Sequence, residues 1–354
     1  MKSNIKFFKN LKSLSVDKFF HNVLYDKKIG YYNNRQPFGK RGDFITSPKI
    51  SALFSEIIAI WLVSTWENFG KPKNINIIEL GPGDGSLTNI LLKIFKNFPE
   101  FNKAKNVYLL EISDLLKKKQ KININGDKVK WIKNLKDIKK GPVIFFGNEY
   151  FDAIPIKQFK RQNGYLYEKY FYYKKNSNIY QTFRKAKKVD REKIKLFKTL
   201  NNLKFIEYPK LGLKELKKIM IKISKLKGCL LLIDYGYTKS NNKNTLQSVM
   251  KHKKNNILKN LGKADITSHV NFELLKEFFL HNNLKVKNII TQKEFLETMG
   301  ILTRADILSR KMKFSEKADL YLRLKRLLSP ISMGNMFKVI LAYNNKNQNY
   351  FGFK

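Results

Sequence analysis

The sequence predicts an α/β fold: a doubly wound, mostly parallel sheet of seven strands with helices on both faces, plus an inserted α+β subdomain. Three observations carry this. Short apolar runs alternate with segments of helical spacing from Ile75 onward. The first of these runs ends in a glycine cluster, Gly81-Pro82-Gly83-Asp84-Gly85, that opens a helix. The alternation is broken once, by a Tyr- and Phe-rich stretch with an Asn163-Gly164 turn signal.

The elements follow in order. Met1–Phe20 is basic and partly amphipathic and reads as an N-terminal helix region. It lacks the apolar core and cleavage site of a secretory signal, and its basic residues are all Lys, where a mitochondrial presequence is usually Arg- and Ser-rich. Gly42–Pro48 is expected to be a loop and Ile50–Trp66 an amphipathic helix, together a lid over a ligand with Gly42, Asp43, Phe44, Thr46 and Ser47 facing it. The bland alternative is a plain packing segment. Ile75–Leu80 is the first buried strand, and Ser86–Phe98 a helix with Leu87, Ile90, Leu91, Ile94 and Phe95 on one side. Val107–Ile112 is the second strand, Asp114–Lys121 a helix, Val129–Ile132 the third strand, and Pro142–Phe146 the fourth, ending at Gly147-Asn148-Glu149. In the insertion, Ile156–Phe183 suggests an antiparallel meander and Lys185–Lys227 helices. Cys229–Asp234 is the fifth strand, Asn271–Leu280 a helix, Lys285–Thr291 the sixth strand, Glu294–Leu328 helical, and Phe337–Tyr343 the seventh strand.

Composition sets bounds. With 354 residues, 43% of them hydrophobic, the chain can bury one large core or two smaller ones. No run reaches the roughly 18 apolar residues of a membrane helix. The net charge of +43 invites a nucleic-acid reading. However, the basic residues are spread along the whole chain and are overwhelmingly lysine, alongside abundant Asn, Ile and Phe. A/T-rich codons explain that pattern without a ligand, so a nucleic-acid partner is not expected. Cys229 is the single cysteine, which excludes disulfides within the chain and suits a reducing compartment. Four scattered histidines (His21, His252, His269 and His281) give no zinc pattern, and no metal is expected.

The strongest local signal is Ile77-Ile78-Glu79-Leu80-Gly81-Pro82-Gly83-Asp84-Gly85. Glycines there let the backbone turn tightly and approach a ligand, and the helix start offers free amides. A dinucleotide fingerprint needs a third glycine at position 86, where Ser86 stands. The pattern is G-x-G-x-G with Glu79 two places before it. Glu111 closes the next strand, where a carboxylate can accept two ribose hydroxyls.

Together these residues resemble motif I of Rossmann-like methyltransferases. At full length the chain resembles the MidA family, whose members include a mitochondrial complex I assembly factor that methylates a protein arginine. The resemblance runs from about Gly30 to Tyr343. Its blocks are Gly30-Tyr31-Tyr32, Gly42–Pro48, the glycine loop, Leu110-Glu111-Ile112-Ser113, Asn148–Pro155, Asp234-Tyr235-Gly236-Tyr237, Thr245-Leu246-Gln247, Asp265-Ile266-Thr267 and Met333-Gly334. It implies S-adenosyl-L-methionine as cofactor, held by Glu79, Gly81, Gly83, Gly85, Glu111, Ile112 and Asn148. It implies a protein substrate, such as a complex I subunit, and a setting in the bacterial cytoplasm or, in a eukaryote, the mitochondrial matrix. The domains would be an N-terminal lid segment (1–70), a cofactor-binding domain (71–155 and 228–345) and an inserted partner-binding subdomain (156–227). Two positions depart from the family pattern: Asp84 stands where a basic residue is common, and Lys49 where an acidic one is.

An arginine acceptor makes a specific demand. Its guanidinium is cationic with delocalised lone pairs, so a carboxylate must hold it, localise its charge and take the released proton. Glu149 and Asp152, after the fourth strand, supply such groups, and Asp152 has the alternative role of a helix N-cap. Rival readings are a methyltransferase for RNA or a small molecule, and a non-catalytic assembly factor that binds the cofactor.

Overall fold

The computed structural model describes residues 2–34, 46–124, 128–174, 178–239, 241–346 and 349–353. No helix among them is long and apolar enough to cross a membrane. Contacts group the chain into two units. One comprises the described parts of Met1–Phe44, Phe151–Lys217 and Tyr237–Phe278, and the other those of Ile45–Tyr150, Lys218–Gly236 and Phe279–Lys354. This grouping differs from the three-part division expected from the sequence. Its physical reason is local: the N-terminal residues pair with the meander, whereas the helix that follows residue 50 packs within the sheet-bearing unit.

The larger unit is built on strands β1 (Ile75–Leu80), β2 (Lys105–Leu110), β3 (Val129–Ile132), β4 (Val143–Asn148), β5 (Gly228–Tyr237), β6 (Lys285–Val286) and β7 (Phe337–Asn344). They lie in the order β6-β7-β5-β4-β1-β2-β3. β1 is parallel to β2 and β4, β2 to β3, and β4 to β5, while β7 runs antiparallel to β5 and β6. The chain steps outward from β1 in one direction, then crosses back to β4 on the other side. The carboxyl ends of β1 and β4 therefore mark the topological switch point, the place where open α/β sheets bind ligands. Every residue of β1 is buried, the polar Asn76 and Glu79 included, as befits an inner strand of a parallel sheet. Cys229, the second residue of β5, lies between Ile144 of β4 and Tyr343 of β7 and is fully buried.

Four strand expectations need correction. β5 runs from Gly228 to Tyr237 rather than from Cys229 to Asp234. β2 ends at Leu110 rather than Ile112, and β4 runs on to Asn148 rather than stopping at Phe146. The sixth strand is not continuous. Val286 faces Ala342 and Ile290 faces Val339, so its side spends one residue more than β7 does: a β-bulge between Lys285–Val286 and Ile290–Thr291.

Helix α1 (Ala52–Asn68) is buried on most of its circumference, not on one face as expected. Helix α2 (Ser86–Phe95) and the helix Ile301–Ser309 both pack on it, so little is left for solvent. Helix α3 (Asp114–Asn123) follows β2, its N-terminus capped by Ser113 Oγ accepting from the Leu116 amide at 3.2 Å. The expected helical stretch after the sixth strand resolves into Gln292–Thr298, Ile301–Ser309 and Phe314–Leu328. A capping box between Thr291 and Glu294 starts the first of them.

The smaller unit contains the expected meander, Lys157–Gln162, Tyr165–Tyr173 and Ile179–Lys185, turned at Asn163 and Gly164, both with positive φ. More strands were missed: Gln247–Met250, Lys253–Asn255 and Asp265–Thr267 form a small antiparallel sheet of their own, and two others join the meander. Ser13–Ser15 pairs with Tyr170–Tyr172 inside a region expected to be helical, and Phe205–Tyr208 pairs with Lys157–Lys160 between the helices Lys198–Asn201 and Lys210–Leu226. Phe7, Phe8, Phe19, Phe20, Tyr31 and Phe171 form the heart of its core.

Candidate functional site

β1 runs straight into the glycine loop. Gly81, Gly83 and Gly85 have φ of 60°, 56° and 81°, a region in which side chains are strained. A Cβ on Gly81 would stand 2.8 Å from the ring of Tyr150. The loop is held from one side by α3. Gln120 Nε2 donates to the Gly83 carbonyl at 2.7 Å, and Asn123 Nδ2 to the Asp84 carbonyl at 2.8 Å.

Two carboxylates flank the loop. Glu79 lies within β1 and is buried, and the Thr88 hydroxyl of α2 donates to it. Burial pushes its carboxyl up to about 8, opposed by the Thr88 hydrogen bond and reinforced by the charges of Asp84 and Glu111. Glu111 sits one residue past β2, also buried. Its Oε1 accepts from the Ser113 amide at 2.7 Å and its Oε2 from Gln120 Nε2 at 3.1 Å. Burial raises this carboxyl too, against those hydrogen bonds. Gln120 thus ties the glycine loop to the strand-end carboxylate, and its own Oε1 accepts from Trp131 Nε1 at 2.9 Å. Ile112 follows with 64% of its surface exposed, an apolar side chain at the rim.

At the end of β4, Glu149 has φ of +50°, rare for a non-glycine residue. The strain is anchored: its amide donates to the Ile233 carbonyl at 2.9 Å. Glu149 Oε1 accepts from the Ser47 amide at 3.3 Å and from Asn148 Nδ2 at 3.2 Å. Asn148 Oδ1 is buried and meets no hydrogen-bond donor among the described residues. Ser47 is buried, its hydroxyl donating to Gln292 Oε1 at 3.4 Å, and Thr46 precedes it in extended backbone. Gly42, Asp43 and Phe44 of the expected lid lie outside the described residues.

Asp152 belongs to the smaller unit. The turn that holds it leads to the strand Lys157–Gln162, so the helix-cap alternative is corrected: there is no helix there to cap. Its carbonyl accepts from the Ser268 amide at 3.0 Å. Burial raises the Tyr32 hydroxyl well above its usual range, and the charges of Asp265 and Asp152 add to that; Tyr32 donates to Asp265 Oδ2 at 3.2 Å.

The structure therefore brings Glu79, the three glycines, Glu111, Asn148, Glu149 and Ser47 to the carboxyl ends of β1, β2 and β4. Sequence reading missed Thr88, Gln120, Tyr150 and one ion pair. Lys49 Nζ lies 2.5 Å from Asp84 Oδ2, so the two departures from the family pattern face each other with opposite charge. Polar residues at Gln120 and Asn123, one turn apart on α3, were the available signal for the loop clamp.

The donor and acceptor set fits S-adenosyl-L-methionine. Desolvated carboxylates suit an ammonium and ribose hydroxyls, the orphaned Asn148 Oδ1 suits a further donor, and a side chain on Gly81 would collide with Tyr150.

Comparison with known proteins agrees. Residues 57–290 match the family of S-adenosyl-L-methionine-dependent methyltransferases. The mitochondrial protein arginine methyltransferase NDUFAF7 of Danio rerio is 27% identical over 357 residues, covering 94% of this chain and 83% of that protein. The Homo sapiens protein of that name is 27% identical over 358 residues, covering 93% and 80%. In fold, a crystal structure from Burkholderia thailandensis bound to S-adenosyl-homocysteine superposes with a TM-score of 0.82 at 20% identity, over 99% of this chain and 92% of that one.

Proposed function

Because the chain belongs to the family of S-adenosyl-L-methionine-dependent methyltransferases, we propose that it methylates an arginine of a partner protein, a respiratory complex I subunit, with Glu149 receiving the guanidinium. Glu149 is the observation that carries this: a carboxylate at the carboxyl end of β4, held in strained backbone and oriented by two donors on one oxygen. Strain of this kind costs roughly 1–3 kcal/mol and persists where surrounding structure enforces it, commonly at functional sites. The relatives named as protein arginine methyltransferases support the acceptor.

The bound cofactor supplies an electrophilic methyl group on a sulfonium. In this reading Glu79 holds its ammonium end, Glu111 its ribose hydroxyls, and Ile112 and Asn148 its remaining edge, while Gly81, Gly83 and Gly85 give the backbone room. Glu149 pairs with the acceptor guanidinium, draws its charge to one side so that a nitrogen lone pair is available, and accepts the proton that nitrogen loses. The reaction belongs in the bacterial cytoplasm, or in the matrix if the source is a eukaryote.

The test is methyl transfer to the partner identified by pull-down and mass spectrometry of methylated peptides. Glu149→Gln keeps shape but removes charge. It should leave cofactor affinity within a few-fold and lower turnover by roughly two orders of magnitude or more. A Glu149→Gln enzyme as active as the parent, beside an inactive Asp152→Asn enzyme, would move the role to Asp152. Activity in both variants would remove the arginine mechanism.

A further inference from the structure

The segment Thr46–Ile50 touches both halves of the proposed site. One short helix, Ser47–Ile50, presents the Ser47 amide to Glu149 Oε1 at 3.3 Å and carries Lys49, whose ammonium meets Asp84 in the middle of the glycine loop at 2.5 Å. The segment leads directly into α1, whose N-cap Ser51 accepts from the Leu53 amide at 3.3 Å. Arg323 Nη1 donates to the Ile50 carbonyl at 3.1 Å.

The pair is well shielded. The Lys49 side chain is 19% exposed and that of Asp84 9%. Burial opposes ionisation of Asp84, but the Lys49 ammonium and the Ser86 amide overcome it and hold the carboxyl below its ordinary range. A shielded pair is screened far less by salt than a surface one. Asp84 also spans the loop locally, its Oδ1 accepting from the Ser86 amide at 3.2 Å at the start of α2.

We infer that Lys49 and Asp84 are positioning residues for methyl transfer. By pinning Lys49 to the glycine loop, the pair fixes the Ser47 amide against Glu149, so that the loop and the acceptor carboxylate keep one register. Neither side chain need touch a reacting atom; each acts through Ser47 and through the loop backbone. Small displacements matter here, because a misplacement of about 1 Å can cost roughly a hundredfold in rate. The inference rests on the proposed role of Glu149 for its effect on turnover, and on the glycine loop alone for its effect on the cofactor.

Charge reversal tests it. Lys49→Asp and Asp84→Lys are made singly and together, with S-adenosyl-L-methionine affinity read by calorimetry and kcat and KM read on the methylated partner. Each single reversal should place like charges face to face, weaken cofactor affinity by about tenfold, and lower kcat at saturating cofactor by a similar factor. The double reversal should recover most of both losses. Single effects that simply add in the double variant would overturn the inference. So would variants with a lowered melting temperature but unchanged kcat and cofactor affinity, since that would leave the pair a merely structural contact. Failure of the acceptor reading would look different: Glu149→Gln would retain turnover, while restoration of cofactor affinity by the double reversal would still be observed.

Discussion

Glu79 is a buried acid whose carboxyl titrates near 8 in the folded chain and near its ordinary 4.5 when unfolded. Between those values the native state holds a proton that the unfolded chain has released, so stability should fall as pH rises through that window. Urea midpoints measured from pH 5 to 9 without cofactor should decline more steeply for the parent than for Glu79→Gln; parallel curves would show that Glu79 is not desolvated. Glu149 yields a second expectation. Its φ of +50° suits glycine better than glutamate, so Glu149→Gly should be inactive yet melt no lower than the parent. A clear drop in melting temperature would mean that its side-chain contacts outweigh the strain. Glu79, Glu111 and Glu149 were legible in the sequence because each closes or precedes a recognisable strand end. Lys49 with Asp84, and Gln120 with Glu111, were not: their partners come from different elements, and no spacing rule links them.

Strand ends and the glycine loop followed from local pattern, since short apolar runs and glycines leave few alternatives. The misreadings share a cause in tertiary contact. α1 looked amphipathic because Ser55, Glu56, Ser64 and Thr65 interrupt its apolar run, yet Ile301–Ser309, far along the chain, covers its outer side. Ser13–Ser15 and Phe205–Tyr208 are too short to announce themselves and become strands only because the meander offers an edge. Trp61, with no exposed surface inside α1, should show what this burial contributes. Trp61→Ala should cost about 3–5 kcal/mol in a denaturant titration, the range for removing a large buried aromatic. A cost below about 1 kcal/mol would mean that the site collapses or was never tightly packed. Gly81→Ala addresses the loop instead: the Cβ would press on Tyr150, so cofactor affinity should fall more than stability does.

Across the whole molecule the charge of +43 dominates any encounter at low salt. If it reflects composition rather than a selected surface, binding to generic RNA should be weak near physiological ionic strength and fall steeply with added salt. Tight, salt-resistant binding in a filter assay would contradict that. The single cysteine has another consequence. Cys229 is fully enclosed between β4 and β7, and burial raises its thiol far above the usual range. It is thus a built-in, one-site reporter of unfolding that needs no engineered label. Under native conditions a thiol reagent should modify the chain only when the centre of the sheet opens, so the labelling rate measures how often that happens. The same measurement made with cofactor present would show whether occupying the switch point at β1 and β4 slows the opening of a strand on the other side of β4.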